Sequence, residues 1–128
     1  MRRVSSTAPI EILQWFGLLA GGLAWAAQLV IGFGFTVADC SPAGSRWGLD
    51  RDTWEVATTA GAALIVLSAE AAAILVFLAT RHTTSDDPPP RGRWHFFAAG
   101  SIAANLLFLA IVLLSGLASL SFDPCRQA

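Results

Sequence analysis

The stretch "LQWFGLLAGGLAWAAQLVIGFGF", residues 13–35, contains no charged side chain. As an α-helix it would be about 35 Å long at ~1.5 Å per residue, and the hydrocarbon core of a bilayer is ~30 Å thick. It belongs to an apolar block over 12–37, and similar blocks cover 54–80 and 94–120. The sequence therefore predicts an all-α membrane protein, one integral membrane domain over 1–128 with three transmembrane helices.

Composition supports this prediction, because 55% of the 128 residues are hydrophobic and only 13% are charged. A soluble domain of this size needs a charged surface, and a soluble bundle needs amphipathic helices, whereas these blocks are apolar on all sides. A net charge of −1 without a basic stripe predicts no nucleic-acid partner. Residues 1–27 resemble a signal peptide loosely, but the apolar run continues to Val37, so we expect a full span.

The arginines predict how the helices are oriented. Five of the eight basic residues precede the first span or lie in the loop between spans two and three, and three lie on the other side. Because the side richer in arginine is usually cytoplasmic, we expect the N-terminus inside and the C-terminus outside. The five are Arg2, Arg3, Arg81, Arg91 and Arg93, and the three are Arg46, Arg51 and Arg126.

Two cysteines lie at the same predicted end of the molecule. Cys40 follows span one and Cys125 follows span three. In the predicted topology both face the oxidising outer side, so we expect a disulfide that joins helix one to helix three. Free thiols, metal ligation and redox chemistry are the alternatives. Neither a CxxC motif nor a histidine stands near either cysteine, so a metal site would lack ligands.

Span one carries a stripe of small and polar residues. Gln14, Gly17, Gly21, Gln28 and Gly32 follow one another at spacings of three, four, seven and four, which places them on one helical face. The segment "GLLAG" (17–21) is a GxxxG motif, which allows another helix to approach closely. The stripe therefore predicts helix packing through Gly17, Gly21 and Gly32.

Glu70 lies inside the second apolar block, where an ionised carboxylate costs at least ~2.5–3.5 kcal/mol. Glu70 and, in span three, Asn105 have about the same predicted depth, about 3 Å to the cytoplasmic side of the midplane, and Gln28 lies about 6 Å to its outer side. Desolvation favours the neutral acid, which can donate a hydrogen bond to Asn105 or to a backbone carbonyl. We interpret Glu70, Asn105 and Gln28 as an intramembrane polar contact between helices or with a partner. Transport is the alternative, since proton-coupled rotor subunits and small drug exporters also carry a membrane glutamate.

The other polar residues give no sign of catalysis. His82 and His95 lie at or beyond the predicted inner interface, so no bis-histidine haem site crosses the bilayer. The sequence shows no phosphate-binding loop and no carboxylate dyad. Near the start of span two, Asp52 or Thr53 is a candidate N-cap, and Glu55 suits the first helical turn. We predict no catalytic residue, no metal and no cofactor.

Several short motifs resemble one family. They are "LAWAAQL" (23–29) in span one, Cys40 just after it, "GRWHFFA" (92–98) opening span three with Asn105 beyond, and the closing "DPCRQ" (123–127). This layout is similar to that of small three-span bacterial membrane proteins encoded alongside haem–copper (cytochrome c) terminal oxidases. The resemblance implies an accessory subunit of a respiratory complex in the bacterial inner membrane, without its own haem or copper.

The sequence therefore predicts a non-catalytic accessory subunit that packs against other membrane subunits within the lipid bilayer, in a respiratory oxidase or its supercomplex. The alternative is a small proton- or cation-coupled carrier or pore that uses Glu70. An assembly factor is a third possibility that the sequence does not distinguish from the first.

Overall fold

The computed structural model describes residues 7–41, 48 and 50–126, and within them the protein is an all-helical bundle. Helix α1 covers Thr7–Cys40, α2 covers Arg51–Ala79 and α3 covers Arg91–Ser121. Each is long and apolar enough to cross a membrane, so the predicted multi-pass fold is confirmed. Helices α1 and α3 extend past the predicted apolar blocks at both ends.

Consecutive helices run antiparallel to each other, so the helix ends lie in two groups, one at each end of the bundle. We call the end with Cys40, Arg51 and Cys125 the disulfide end, and the end with Ala79 and Arg91 the proline-loop end. Cys40 and Cys125 form the predicted disulfide, with their Cα atoms 5.4 Å apart. Cys125 belongs to a short 3₁₀ turn, Pro124–Arg126, that follows α3. The bond therefore joins the last residue of α1 to the segment just beyond α3.

Small residues fill the interface between the helices. Each helix packs against the other two. The buried apolar residues are mostly alanine and valine, including Ala24, Val66, Ala69 and Val112. The large apolar side chains instead point outward, as Leu23 (67% exposed), Leu64 (65%) and Leu114 (64%) do on α1, α2 and α3. Such an arrangement suits a lipid environment, where close contact between small residues, rather than burial of large ones, holds helices together.

The start of α2 differs from the prediction. The helix begins at Arg51, and Asp50 takes the N-cap position in an extended conformation. Asp52 and Thr53 therefore lie inside the first turn, where the Thr53 hydroxyl donates to the Asp50 carboxylate. Asp52, Thr53 and Trp54 of the first turn are exposed, whereas Glu55, which follows them, is buried. This shift changes the role of Glu55, as described below.

Candidate functional site

The predicted stripe of α1 is the face that packs against the other helices. Gln14 is 2% exposed and Gln28 is 6% exposed, and Gly17 and Gly21 are buried with them. Gly32 is partly buried, nearer the disulfide end. The stripe is therefore occupied by α2 and α3 of the same chain, and it is not available as a docking surface for another protein.

Gly17 and Gly21 accommodate the two neighbouring helices at close range. A Cβ atom at Gly17 would lie 3.1 Å from the backbone nitrogen of Ala73 and 3.2 Å from the backbone oxygen of Ala69. At Gly21 a Cβ would collide with the side-chain oxygen of Asn105. Within the GxxxG motif, Gly17 therefore contacts the α2 backbone and Gly21 leaves room for the Asn105 side chain of α3.

Asn105 links α3 to α1. Its side chain is 1% exposed, and its Nδ2 donates a hydrogen bond of 2.8 Å to the backbone oxygen of Gly17. The α1 face that Asn105 touches was predicted from sequence, but this bond was not. The depth of a residue fixes its height along a helix, whereas the acceptor it finds depends on the rotation of both helices.

Glu70 lies beside the side chain of Asn105, as their equal predicted depth suggests. No hydrogen bond of ordinary geometry joins the two within the described chain, and Oε2 of Glu70 and Oδ1 of Asn105 both lack a partner. Asn105 therefore bonds α3 to α1 through Gly17 and lies beside Glu70 of α2.

Gln28 does not join this pair. Its Nε2 donates to Oγ1 of Thr59 at 3.0 Å and to the backbone oxygen of Val112 at 3.1 Å. Val112 follows Asn105 by seven residues, or about 10 Å along α3. Gln28 therefore bonds α1 to both other helices at a separate level, closer to the disulfide end, and the predicted three-residue contact is divided into two.

An apolar layer separates the two levels. Ala24, Ala62, Val66 and Val112 form a buried cluster with one or two members from each helix. On α2 this cluster falls between Thr59 and Glu70, which are eleven residues or about 16 Å apart. The polar groups of the interior are thus interrupted by packed methyl groups near the middle of the bundle.

Gly116 is a helix contact that the sequence analysis did not identify. A Cβ at this position would lie 2.5 Å from both Cγ2 and Oγ1 of Thr59, so Gly116 makes room for this α2 side chain. Gly116 has no glycine partner at a spacing of four on α3, and a stripe was the signal used for α1. The pairing of a single glycine with a β-branched residue on another helix leaves no such pattern.

Glu55 is a second buried acid. It was predicted in the first turn of span two, but because α2 begins at Arg51 it lies just beyond that turn. Glu55 is 3% exposed, and its Oε1 has no hydrogen-bond partner within the described chain. A Cβ at Gly32 would lie 3.3 Å from this Oε1. Gly32 therefore makes room for a carboxylate rather than for a helix backbone. The available signal was the spacing of Arg51, Glu55 and Thr59, which places three polar residues on one helical face.

His95, at the proline-loop end, contributes to a local contact. Its ring stacks on Phe77 with the centroids 4.7 Å apart, and its Nδ1 lies 3.1 Å from Oγ1 of Thr80. In the described residues, no three His, Cys, Asp or Glu side chains gather as a metal site would require. What the arrangement offers chemically is hydrogen bonding between helices and two interior carboxyl groups.

Comparison with protein-family models, with curated proteins and with solved structures gives no match to this chain.

Proposed function

We propose that this protein is a non-catalytic accessory subunit of a larger membrane complex. The observation that carries the proposal is that the interior polar groups form hydrogen bonds between helices. Asn105 and Gln28 bond helix to helix, and the apolar layer around Val66 and Val112 separates them. Polar residues arranged in this way hold a bundle together, whereas a transport pathway places polar groups in series. The large apolar side chains on all three helices remain free to meet lipid or neighbouring subunits.

We further propose a respiratory terminal oxidase as the complex, and the bacterial inner membrane as its location. The support is the resemblance in "LAWAAQL", "GRWHFFA" and "DPCRQ". The proposed orientation, N-terminus inside and C-terminus outside, rests on the distribution of arginines, of which Arg2, Arg3 and Arg46 lie outside the described residues. It places the disulfide on the oxidising side. Reporter domains fused to either terminus test the orientation directly.

Purification of a tagged chain from native membranes in a mild detergent tests the proposed function. We expect respiratory subunits to be recovered at a fixed ratio to this chain, measured by native mass spectrometry. A chain recovered alone, or only with copies of itself, would contradict an accessory role. A photo-crosslinking side chain placed at Leu23, Leu64 or Leu114 then locates the contact, because each position lies on a different helix and points outward. We expect crosslinks to protein from at least one helix and to lipid from the others.

A proton- or cation-coupled carrier is the second candidate function. The observation that favours it is the pair of unpartnered oxygens on Glu70 and Asn105 within the bundle. A carrier of this kind would be recovered as a homo-oligomer, and its ion flux in liposomes would disappear in Glu70→Gln.

A further inference from the structure

A small cavity near the disulfide end is lined by oxygen-bearing side chains from all three helices. Its volume is about 230 Å³, and it lies between α1 and α3 with Glu55 of α2 on its wall. The polar lining residues are Gln28 and Thr36 on α1, Glu55 on α2, and Ser115 and Ser119 on α3. At about 30 Å³ per water molecule, this cavity has room for an ion and several waters.

Two of these side chains are buried and have an unused acceptor. Glu55 is 3% exposed and Gln28 is 6% exposed, and Oε1 of each lacks a hydrogen-bond partner within the described chain. The orientation of Gln28 is fixed, because its Nε2 donates to Thr59 and to the Val112 carbonyl. Its carbonyl oxygen is consequently the atom left for the cavity. Buried acceptors without a donor are costly, so their joint presence in one cavity points to a positively charged or proton-donating occupant.

The nearest basic residue does not neutralise Glu55. Arg51 lies one turn away on α2, but its guanidinium donates to the backbone oxygen of Ser119 and contacts Asp52 at 3.4 Å. Within the described residues, no ion pair of 4.0 Å or less joins Arg51 to Glu55. The Glu55 carboxylate therefore lines the cavity without a direct ion pair to Arg51.

We propose that this cavity binds one alkali-metal cation, with Glu55 and Gln28 as its principal ligands and the hydroxyl groups of Ser115, Ser119 and Thr36 completing its oxygen environment. Carboxylate, amide and hydroxyl oxygens suit hard cations, whereas histidine and cysteine ligands select transition metals. A single ionised carboxylate surrounded by neutral oxygens carries one negative charge, so a monovalent cation leaves the site neutral. Neutrality matters because the cavity lies between membrane-spanning helices. The site is independent of the proposed function, since it needs no partner subunit.

Sodium binding to the purified chain in detergent or nanodiscs tests the proposal. Equilibrium dialysis with radioactive sodium, in choline chloride of constant ionic strength, should give one saturable site per chain, with potassium as the competing alkali cation. The melting temperature should rise along the same saturation curve, because a ligand that binds the folded state stabilises it. Glu55→Gln removes the charge while keeping the shape, and we expect half-saturation to need at least about tenfold more sodium.

Asp123→Asn is the matched control. Asp123 is an exposed acid at the same end of the molecule and does not line the cavity, so sodium binding should be unchanged. If Glu55→Gln fails to fold, Ser115→Ala is the second variant, and it should weaken sodium binding several-fold while the disulfide still forms. Sodium binding that is absent from the wild type, or equal in wild type, Glu55→Gln and Ser115→Ala, would overturn the proposal. Binding lost equally in Asp123→Asn would also overturn it, because it would show a general surface-charge effect.

Discussion

Replacement of Gly17 by alanine tests the packing of α1 against α2 most sharply. The added Cβ would lie 3.1 and 3.2 Å from backbone atoms of Ala73 and Ala69, and a backbone cannot turn aside as a side chain can. Helices α1 and α2 must therefore separate by a few tenths of an ångström. Overpacking of this kind costs about 1–3 kcal/mol. We expect the free energy of unfolding of Gly17→Ala to be lower by that amount than that of a variant that gains an alanine in a helix without a clash.

Gly100→Ala is the matched control for this experiment. A Cβ at Gly100 would meet nothing within 4 Å, although the residue also lies inside a membrane-spanning helix. Both variants gain up to about 1 kcal/mol of helix propensity, so the difference between them isolates the clash. Reversible unfolding in SDS-containing mixed micelles, followed by tryptophan fluorescence, measures both. Trp25 reports on the α1–α3 contact because its ring lies 5.8 Å from that of Phe108. Equal midpoints for the two variants would refute the packing described for Gly17.

Three further changes follow from the same contacts. Asn105→Ala should destabilise the bundle by about 1 kcal/mol, because it loses the hydrogen bond between α3 and α1. Ser121→Ala is its control and should change the unfolding midpoint little, because the bond it loses lies within α3. Gly116→Ala should be less stable than Gly61→Ala by about 1–3 kcal/mol in that assay, because both gain helix propensity but only the Cβ at position 116 meets a neighbour. Equal values would contradict the α2–α3 contact. Cys40→Ser should lower the melting temperature, because the disulfide closes a loop of 85 residues and stabilises the fold by at most about 4.5 kcal/mol. An unchanged melting temperature would show that the bundle restrains this loop without the bond.

The sequence was sufficient for the three helices, the disulfide and the packing face of α1. In each case the signal was independent of how the helices are rotated about their axes. Length and apolar character define a span, and Cys40 and Cys125 follow spans that end on the same side. The spacing of Gln14, Gly17 and Gly21 defines a face of α1 without reference to any other helix.

The sequence was not sufficient for contacts that depend on helix rotation. Depth placed Asn105 level with Glu70, but the hydrogen bond of Asn105 goes to Gly17. Similarly, Glu55 was predicted in the first turn of span two because the apolar block begins at Trp54. The helix instead starts at Arg51 and carries Glu55 between its neighbours. A block boundary marks where hydropathy changes, whereas burial depends on where the other two helices end.

The central claim is that the interior polar groups join the helices and do not form a path for ions. Ion flux into proteoliposomes containing the purified chain tests it most directly, with a pH-sensitive dye for protons, radioactive sodium for cations and protein-free liposomes as the baseline. Because the apolar layer around Val66 and Val112 separates Gln28 from Glu70, we predict flux at the baseline for the wild type and for Glu70→Gln alike. Flux above the baseline in the wild type that disappears in Glu70→Gln would contradict the claim and establish the carrier.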